Sequence, residues 1–230
     1  MIERSMLRTH HPHLGRRTKI ELDCYPLSLH HHFSMTNHPI VPGDVEERFE
    51  IHEARNGLAV LAAARPAEWR DILTVLRSFQ LLERDVRAPG GQKTLIAQQL
   101  DSHFYRLGWT ERKFDTRIVV DDHEHVAPTH KVDCFKNKVA VEVEWNNKDP
   151  FFDRDLSNFR LLFELRAIDV GVIITRCSEL QEIFDALGKG SSYGSSTTHI
   201  GRLLPRLAGG SGGGCPVVAF GIRKTAFIAG

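Results

Sequence analysis

The sequence predicts an α/β domain in which helices flank a mixed central β-sheet, with a largely helical portion first. Three observations carry this. Between residues 44 and 107 apolar side chains recur at helical spacing. After residue 116 short runs rich in Val and Ile take over. Further helical stripes lie between the later runs, the pattern of a sheet with helices packed against it. With 230 residues, 41% hydrophobic and 26% charged, the composition is that of a globular core and excludes collagenous, wholly disordered and disulfide-scaffold chains.

Residues 1–42 hold seven of the 13 histidines, among them His10, His11, His13, His30, His31 and His32. They show no sustained period and no zinc-ligand spacing, and read as an irregular, mobile leader. From Gly43 the pattern firms, and residues 43–230 read as a single domain. Asp44 is placed to cap a helix running through Ala54 and Leu58 to Ala64, with Glu46 and Glu47 near its positive end. Pro66 suits the first turn of a second helix, where Trp69, Ile72, Leu73, Leu76, Phe79 and Leu82 form an apolar stripe. Ala88–Gly91 breaks the chain, and a third helix is expected from about Lys93 to Leu107, closed by Gly108.

Strands are expected at Arg117–Asp121, Lys131–Phe135, Val139–Trp145, Gly171–Thr175 and Val217–Ile222. A helix over Asp153–Ala167, with Leu156, Phe159, Leu162 and Phe163 on one face, separates the third from the fourth. Another, over Glu179–Leu187, follows the fourth. Ser191–Thr198 and Gly209–Gly214 read as loops.

Thirty Lys and Arg against 29 Asp and Glu give a net charge of +1, which by itself says nothing about partners. The distribution says more: from Ala186 onward Lys189, Arg202, Arg206, Arg223 and Lys224 occur without a single acid. Such a stretch is either solvated loop or a surface that meets phosphate. No apolar run approaches the roughly 20 residues of a membrane helix, and no secretory h-region is visible. Cys24, Cys134, Cys177 and Cys215 are far apart with no CxxC pair. A cytoplasmic, reducing setting without a membrane partner is therefore expected.

Chemistry concentrates in Lys131–Asp149, KVDCFKNKVAVEVEWNNKD. Asp133 stands in one short strand. After the Lys136-Asn137-Lys138 turn, the next strand alternates Val139, Val141 and Val143 with Ala140, Glu142 and Glu144. Side chains of period two share a face, so the valines take the core while the glutamates point together the other way. If the strands pair as a hairpin, Asp133 converges on Glu142. Three carboxylates without a permanent counter-ion repel one another, and Mg²⁺, a hard ion preferring oxygen ligands, is the usual remedy. A site so built activates water and stabilises phosphodiester hydrolysis. The bland reading puts Glu142 and Glu144 on an ordinary solvated strand face.

Asp133, with Glu142 nine residues later, then Val143 and Glu144, resembles the PD-(D/E)xK nuclease core in its BglII/BamHI-type form. Most of that superfamily has lysine at the last position; this branch commonly has Glu or Gln. Gly90-Gly91-Gln92-Lys93-Thr94, Trp145-Asn146-Asn147-Lys148-Asp149 and Leu203-Leu204-Pro205-Arg206 with the following Gly-rich turn and Cys215-Pro216-Val217 extend the likeness over about Asp44 to Ile228. The resemblance implies a restriction-endonuclease-like fold and a type II restriction endonuclease that cleaves double-stranded DNA at a short palindrome. It implies that Asp133, Glu142 and the carbonyl of Val143 bind Mg²⁺, while Glu144 orients or deprotonates the attacking water. Asn146, Asn147 and Lys148 would face DNA, with Lys93, Ser195, Ser196, Thr197, His199 and Arg206 as further contacts. A homodimer is expected, since one chain offers one site and a double-strand break needs two. A companion DNA methyltransferase is implied as well, and several members of the family it resembles cut around a central GATC. The contrasting readings are a non-catalytic DNA-binding protein on the same scaffold, or a nuclease of DNA repair or a mobile element.

Other motifs carry less. Gly90–Thr94 is no phosphate loop, because GxxxxGK[ST] requires glycines where Arg87 and Gln92 stand. Asp122-His123-Glu124-His125 reads as an exposed turn. Asp101, on the third helix, is a candidate extra acid. Ser195, Ser196 and His199 lack the GxSxG elbow of a hydrolase.

Overall fold

In a computed structural model the described residues are 40–89, 93–127, 129–148 and 150–230. The expected leader lies outside them up to residue 39, as do Gly90, Gly91, Gln92 and Asp149; its last residues are not leader, since Val41 is buried in the core. The chain departs from expectation at once. In place of one helix from Asp44 to Ala64 it forms α1 (Gly43–Glu46), β1 (Phe49–Ala54) and α2 (Gly57–Ala64). Pro42, not Asp44, takes the cap position, and Asp44 instead pairs with Arg77 at 2.6 Å. The strand forms because Phe49–Ala54 finds an antiparallel partner in Val217–Ile222, a long-range pairing that overrides local helix preference. Arg55 and Asn56, both at φ 57°, turn the chain from strand into helix.

The remaining elements follow in order: α3 (Pro66–Ser78), β2 (Leu81–Leu82), α4 (Glu83–Arg87), α5 (Leu95–Arg106), β3 (Thr110–Arg112), β4 (Thr116–Val120), β5 (His123–Ala127), β6 (Val132–Lys136) and β7 (Val139–Glu144). Then come α6 (Pro150–Glu164), β8 (Val170–Arg176), α7 (Leu180–Ala186), α8 (Ile200–Ala208), β9 (Val217–Ile222) and β10 (Phe227–Ile228). Pro66 opens α3 as expected, Thr94 caps α5 through its side chain, and Gly108 follows α5 at φ 82°. Asp122-His123-Glu124-His125 is not simply a turn: from His123 it enters β5, which forms a separate hairpin with β4. The sequence pattern marks no element at α4, β3, β10 or α8; α8, the longest of these, forms despite Gly201 and Pro205 because Ile200 and Leu203 anchor it in the core.

Six strands form the central sheet in the order β1-β9-β8-β7-β6-β3. β7, β8 and β9 run parallel, and β1, β6 and β3 close the sheet with antiparallel pairings. Both faces are covered. Val139, Val141, Val143, Val172, Ile174, Val218 and Phe220 pack with Leu58, Leu76 and Leu100 from the N-terminal helices. On the other side Ala140, Ile173 and Ala219 meet Phe152, Leu156 and Phe159 of α6 and Leu203 of α8. Gly171 lets α6 come this close, since a Cβ there would lie 2.3 Å from the Phe159 ring.

Candidate active site

The site begins with a tight turn. Asn137 and Lys138 both take positive φ, 42° and 66°, the conformation a two-residue hairpin requires. This sets the register of β6 against β7, with Cys134 opposite Val141, so the next pair outward is Asp133 and Glu142. The Asp133 N–H donates to Glu142 Oε2 at 3.2 Å, and the Val143 N–H donates to Asp133 Oδ2 at 3.0 Å. The convergence expected of a hairpin is therefore present.

The bland picture of a solvated glutamate face is not. Glu142 and Glu144 are each 1% exposed, because α6 lies over that face of β7. Pro150–Glu164 brings with it Asp155, also fully buried. Its carboxylate Oδ1 lies 3.1 Å from His130 Nε2 and 2.9 Å from Arg154 Nη2. The same His130 nitrogen is 3.2 Å from Glu142 Oε1, and Arg154 Nη2 is 3.4 Å from Glu144 Oε1. Neither His130 nor Asp155 stood out in the sequence. The missed signal was Asp155 itself: it follows Phe152 by three residues and precedes Phe159 by four, which puts an acid on the buried stripe of an amphipathic helix.

The electrostatics follow from this crowding. Burial pushes the carboxyls of Glu142, Glu144 and Asp133 upward, and the charge of Asp155 adds to the effect. Burial would lower His130, but its contacts with Asp155 and Glu142 outweigh that and raise it to about 9. Asp101 is raised to about 6 by burial, against an ion pair with Lys93. Asp155 Oδ2, buried, accepts no hydrogen bond. Among the described residues, ligand atoms of His130, Glu142 and Asp155 lie within 4.8 Å of one another. Hard oxygen donors, raised carboxyls and an orphaned carboxylate oxygen are what a divalent cation would satisfy, so the donor set fits one.

Above the acids opens a cleft of about 550 Å³, lined by Asp133, Val143, Glu144, His130, Lys93 and Arg154, among others. Of the expected DNA contacts, Lys93, Asn146 and Asn147 line it too. The two asparagines are engaged internally: Asn146 Nδ2 donates to Ser192 O at 2.9 Å, and Asn147 Nδ2 donates to Glu144 Oε2 at 2.6 Å. Lys148 and Thr197 form a bridge that ties this segment to the 190–199 loop. In that loop Ser195 and Ser196 are exposed, and His199 Nδ1 lies 2.9 Å from Ser178 Oγ. The loop is held from beneath by the buried Arg176, whose Nη2 donates to Tyr193 O at 2.9 Å and to Thr197 Oγ1 at 3.1 Å. Arg206 is taken up by Asp153 at 2.8 Å and Lys224 lies 3.6 Å from Glu182, so this basic stretch is paired in part with acids from elsewhere.

A family model for the restriction endonucleases BglII and BglIII matches residues 49–222, the span from β1 through β9. The chain belongs to this family. No curated protein matches it. The mixed six-stranded sheet with helices on both faces agrees with the restriction-endonuclease-like fold expected of a BglII-like enzyme. Membership carries site-specific cleavage of DNA, and with it a nuclease whose substrate is DNA. Among the described residues no helix is long and apolar enough to cross a membrane.

Proposed function

We propose that this BglII-family chain is a Mg²⁺-dependent type II restriction endonuclease, with residues 43–230 as its catalytic domain, cutting both strands of a short DNA palindrome. The observation that carries the reading is the cluster of Asp133, half-buried, with Glu142 and Glu144, both buried, where Asp133 and Glu144 line the cleft. Asp133, Glu142 and the Val143 carbonyl would hold the ion. An ion held by these residues would supply polarisation of a phosphodiester oxygen and a lowered pKa for an attacking water.

The chain's own groups do the rest. The Val143 N–H fixes one oxygen of Asp133, so its carboxylate is oriented before any ligand arrives. Glu144 takes the water's proton, and the Asn147 amide and Arg154 guanidinium hold it in place. Lys93 and Arg154, both lining the cleft, offset the charge of the DNA backbone. Lys148, Ser195, Ser196, Thr197 and His199 form the base-reading surface. Base-edge contacts worth about 1–3 kcal/mol each must act together to select a site. A homodimer aligns two such clefts with the two strands of a palindrome, and a companion methyltransferase protects the host's own sites.

The test is incubation of the purified protein with phage DNA in Mg²⁺ or EDTA, with the product ends sequenced. Discrete Mg²⁺-dependent fragments sharing one palindrome are the expected result. A smear contradicts the specificity; intact DNA under every divalent ion contradicts the nuclease.

A further inference from the structure

We propose that the chain carries a second cation position, formed by His130, Glu142 and Asp155, that takes a first-row transition ion such as Mn²⁺ in preference to Mg²⁺. It rests on the nuclease reading only in sharing Glu142 with the Mg²⁺ position described above. The Glu142 carboxylate faces both ways: Oε2 accepts from the Asp133 N–H, while Oε1 faces His130 Nε2. A single side chain thus borders two positions.

The spacing suits coordination. His130 Nε2 is 3.2 Å from Glu142 Oε1 and 3.1 Å from Asp155 Oδ1. Ligands bonded at about 2.1 Å to one ion at tetrahedral or right angles stand about 3.0–3.5 Å apart, so these gaps match edges of a coordination shell. One imidazole N–H cannot point well at two carboxylates at once, whereas one nitrogen and two oxygens can all point at an ion between them. Asp155 supplies an independent sign. It is fully buried, Oδ1 serves both His130 and Arg154, and Oδ2 has no N–H or hydroxyl donor, while the carboxyl also lies against that of Glu144. An orphaned carboxylate oxygen in the interior is costly unless a cation answers it.

The donor set decides which cation. Asp133, Glu142 and a backbone carbonyl are all oxygen and suit Mg²⁺, while an imidazole nitrogen shifts preference toward transition ions. His130 is also the group that could oppose the proposal, since as an imidazolium it would serve as an internal counter-ion for the same acids. The two roles predict opposite outcomes when it is removed.

The experiment is Mn²⁺ titration of the full chain followed by electron paramagnetic resonance, with nitrogen coupling read by electron spin echo modulation. The wild type is compared with His130→Gln, Asp155→Asn and Asp133→Asn, each checked for folding by circular dichroism. The leader histidines are common to all four proteins, so differences from wild type are what count. His130→Gln should lose one tight Mn²⁺ and its nitrogen coupling, with a loss of at least about tenfold in affinity. Asp155→Asn, which keeps the imidazole, should lose the same ion, and Asp133→Asn should retain it. If His130→Gln binds Mn²⁺ as tightly as wild type or more tightly, His130 is a counter-ion and the proposal is overturned. Loss of cleavage in Asp133→Asn with the nitrogen coupling intact supports both positions. A wild type that never cuts DNA but shows His130-dependent coupling removes the nuclease reading and leaves this one standing.

Discussion

The two faces of β7 are built by opposite rules. On one, Val139, Val141 and Val143 join a continuous apolar cluster, and burying each valine contributes about 1.5–3 kcal/mol. On the other, Ala140 packs conventionally, but Glu142 and Glu144 are as buried as the valines and sit beside a third buried acid, Asp155. Buried like charges oppose folding unless a counter-charge offsets them. His130 and Arg154 offset part, yet the carboxyls remain raised. A fold does not need that arrangement. The valine face holds the strand in place so that the acidic face can be held ready for a ligand.

That contrast can be broken at several points. Glu144→Ala should cut the DNA cleavage rate by about 10²–10⁴, the contribution of a positioned base, with DNA binding unchanged in a fluorescence anisotropy titration. Val141→Ala, three residues earlier on the other face, should do the reverse. Chemical denaturation should show a loss of about 2 kcal/mol, while cleavage well below the melting temperature stays near wild type.

A third test uses pH. The folded carboxyls of Glu142 and Glu144 are raised from their usual 4.5, so the folded chain keeps protons that the unfolded chain has released. Their contribution to stability is therefore complete below pH 4.5 and declines as pH rises toward the folded values. His130, raised to about 9 from 6.5, acts in the same direction above pH 6.5. The melting temperature of the metal-stripped protein should fall between pH 6 and pH 9, and Ca²⁺ should restore it more at the upper end. A metal-free melting curve that rises over this range would contradict the raised acids. The smallest effect is expected at Arg206→Ala. Its partner Asp153 is half exposed, so stability should change by less than about 1 kcal/mol.

Much of this contrast was legible in the sequence. Period-two alternation over Val139–Glu144 divides the two faces, and the Asn137-Lys138 turn sets the register that pairs Asp133 with Glu142. What escaped depends on partners distant in sequence. β1 looks helical until it meets β9, and α8 looks like loop until Ile200 and Leu203 find the core. Glu142 and Glu144 look solvated until α6 covers them. Asp155 then completes the acidic group from α6, whose apolar stripe the periodicity marks but whose one buried acid it does not. His130 lies just before β6, where no period marks it.

The most direct measurement compares wild type with Asp133→Asn on supercoiled plasmid DNA in Mg²⁺, with DNA binding measured in parallel in Ca²⁺. Several kcal/mol of transition-state stabilisation should be lost with the ligand, which lowers cleavage about a thousandfold or more while binding persists. Equal cleavage by both proteins would contradict the assignment of the β6–β7 acids as the catalytic centre.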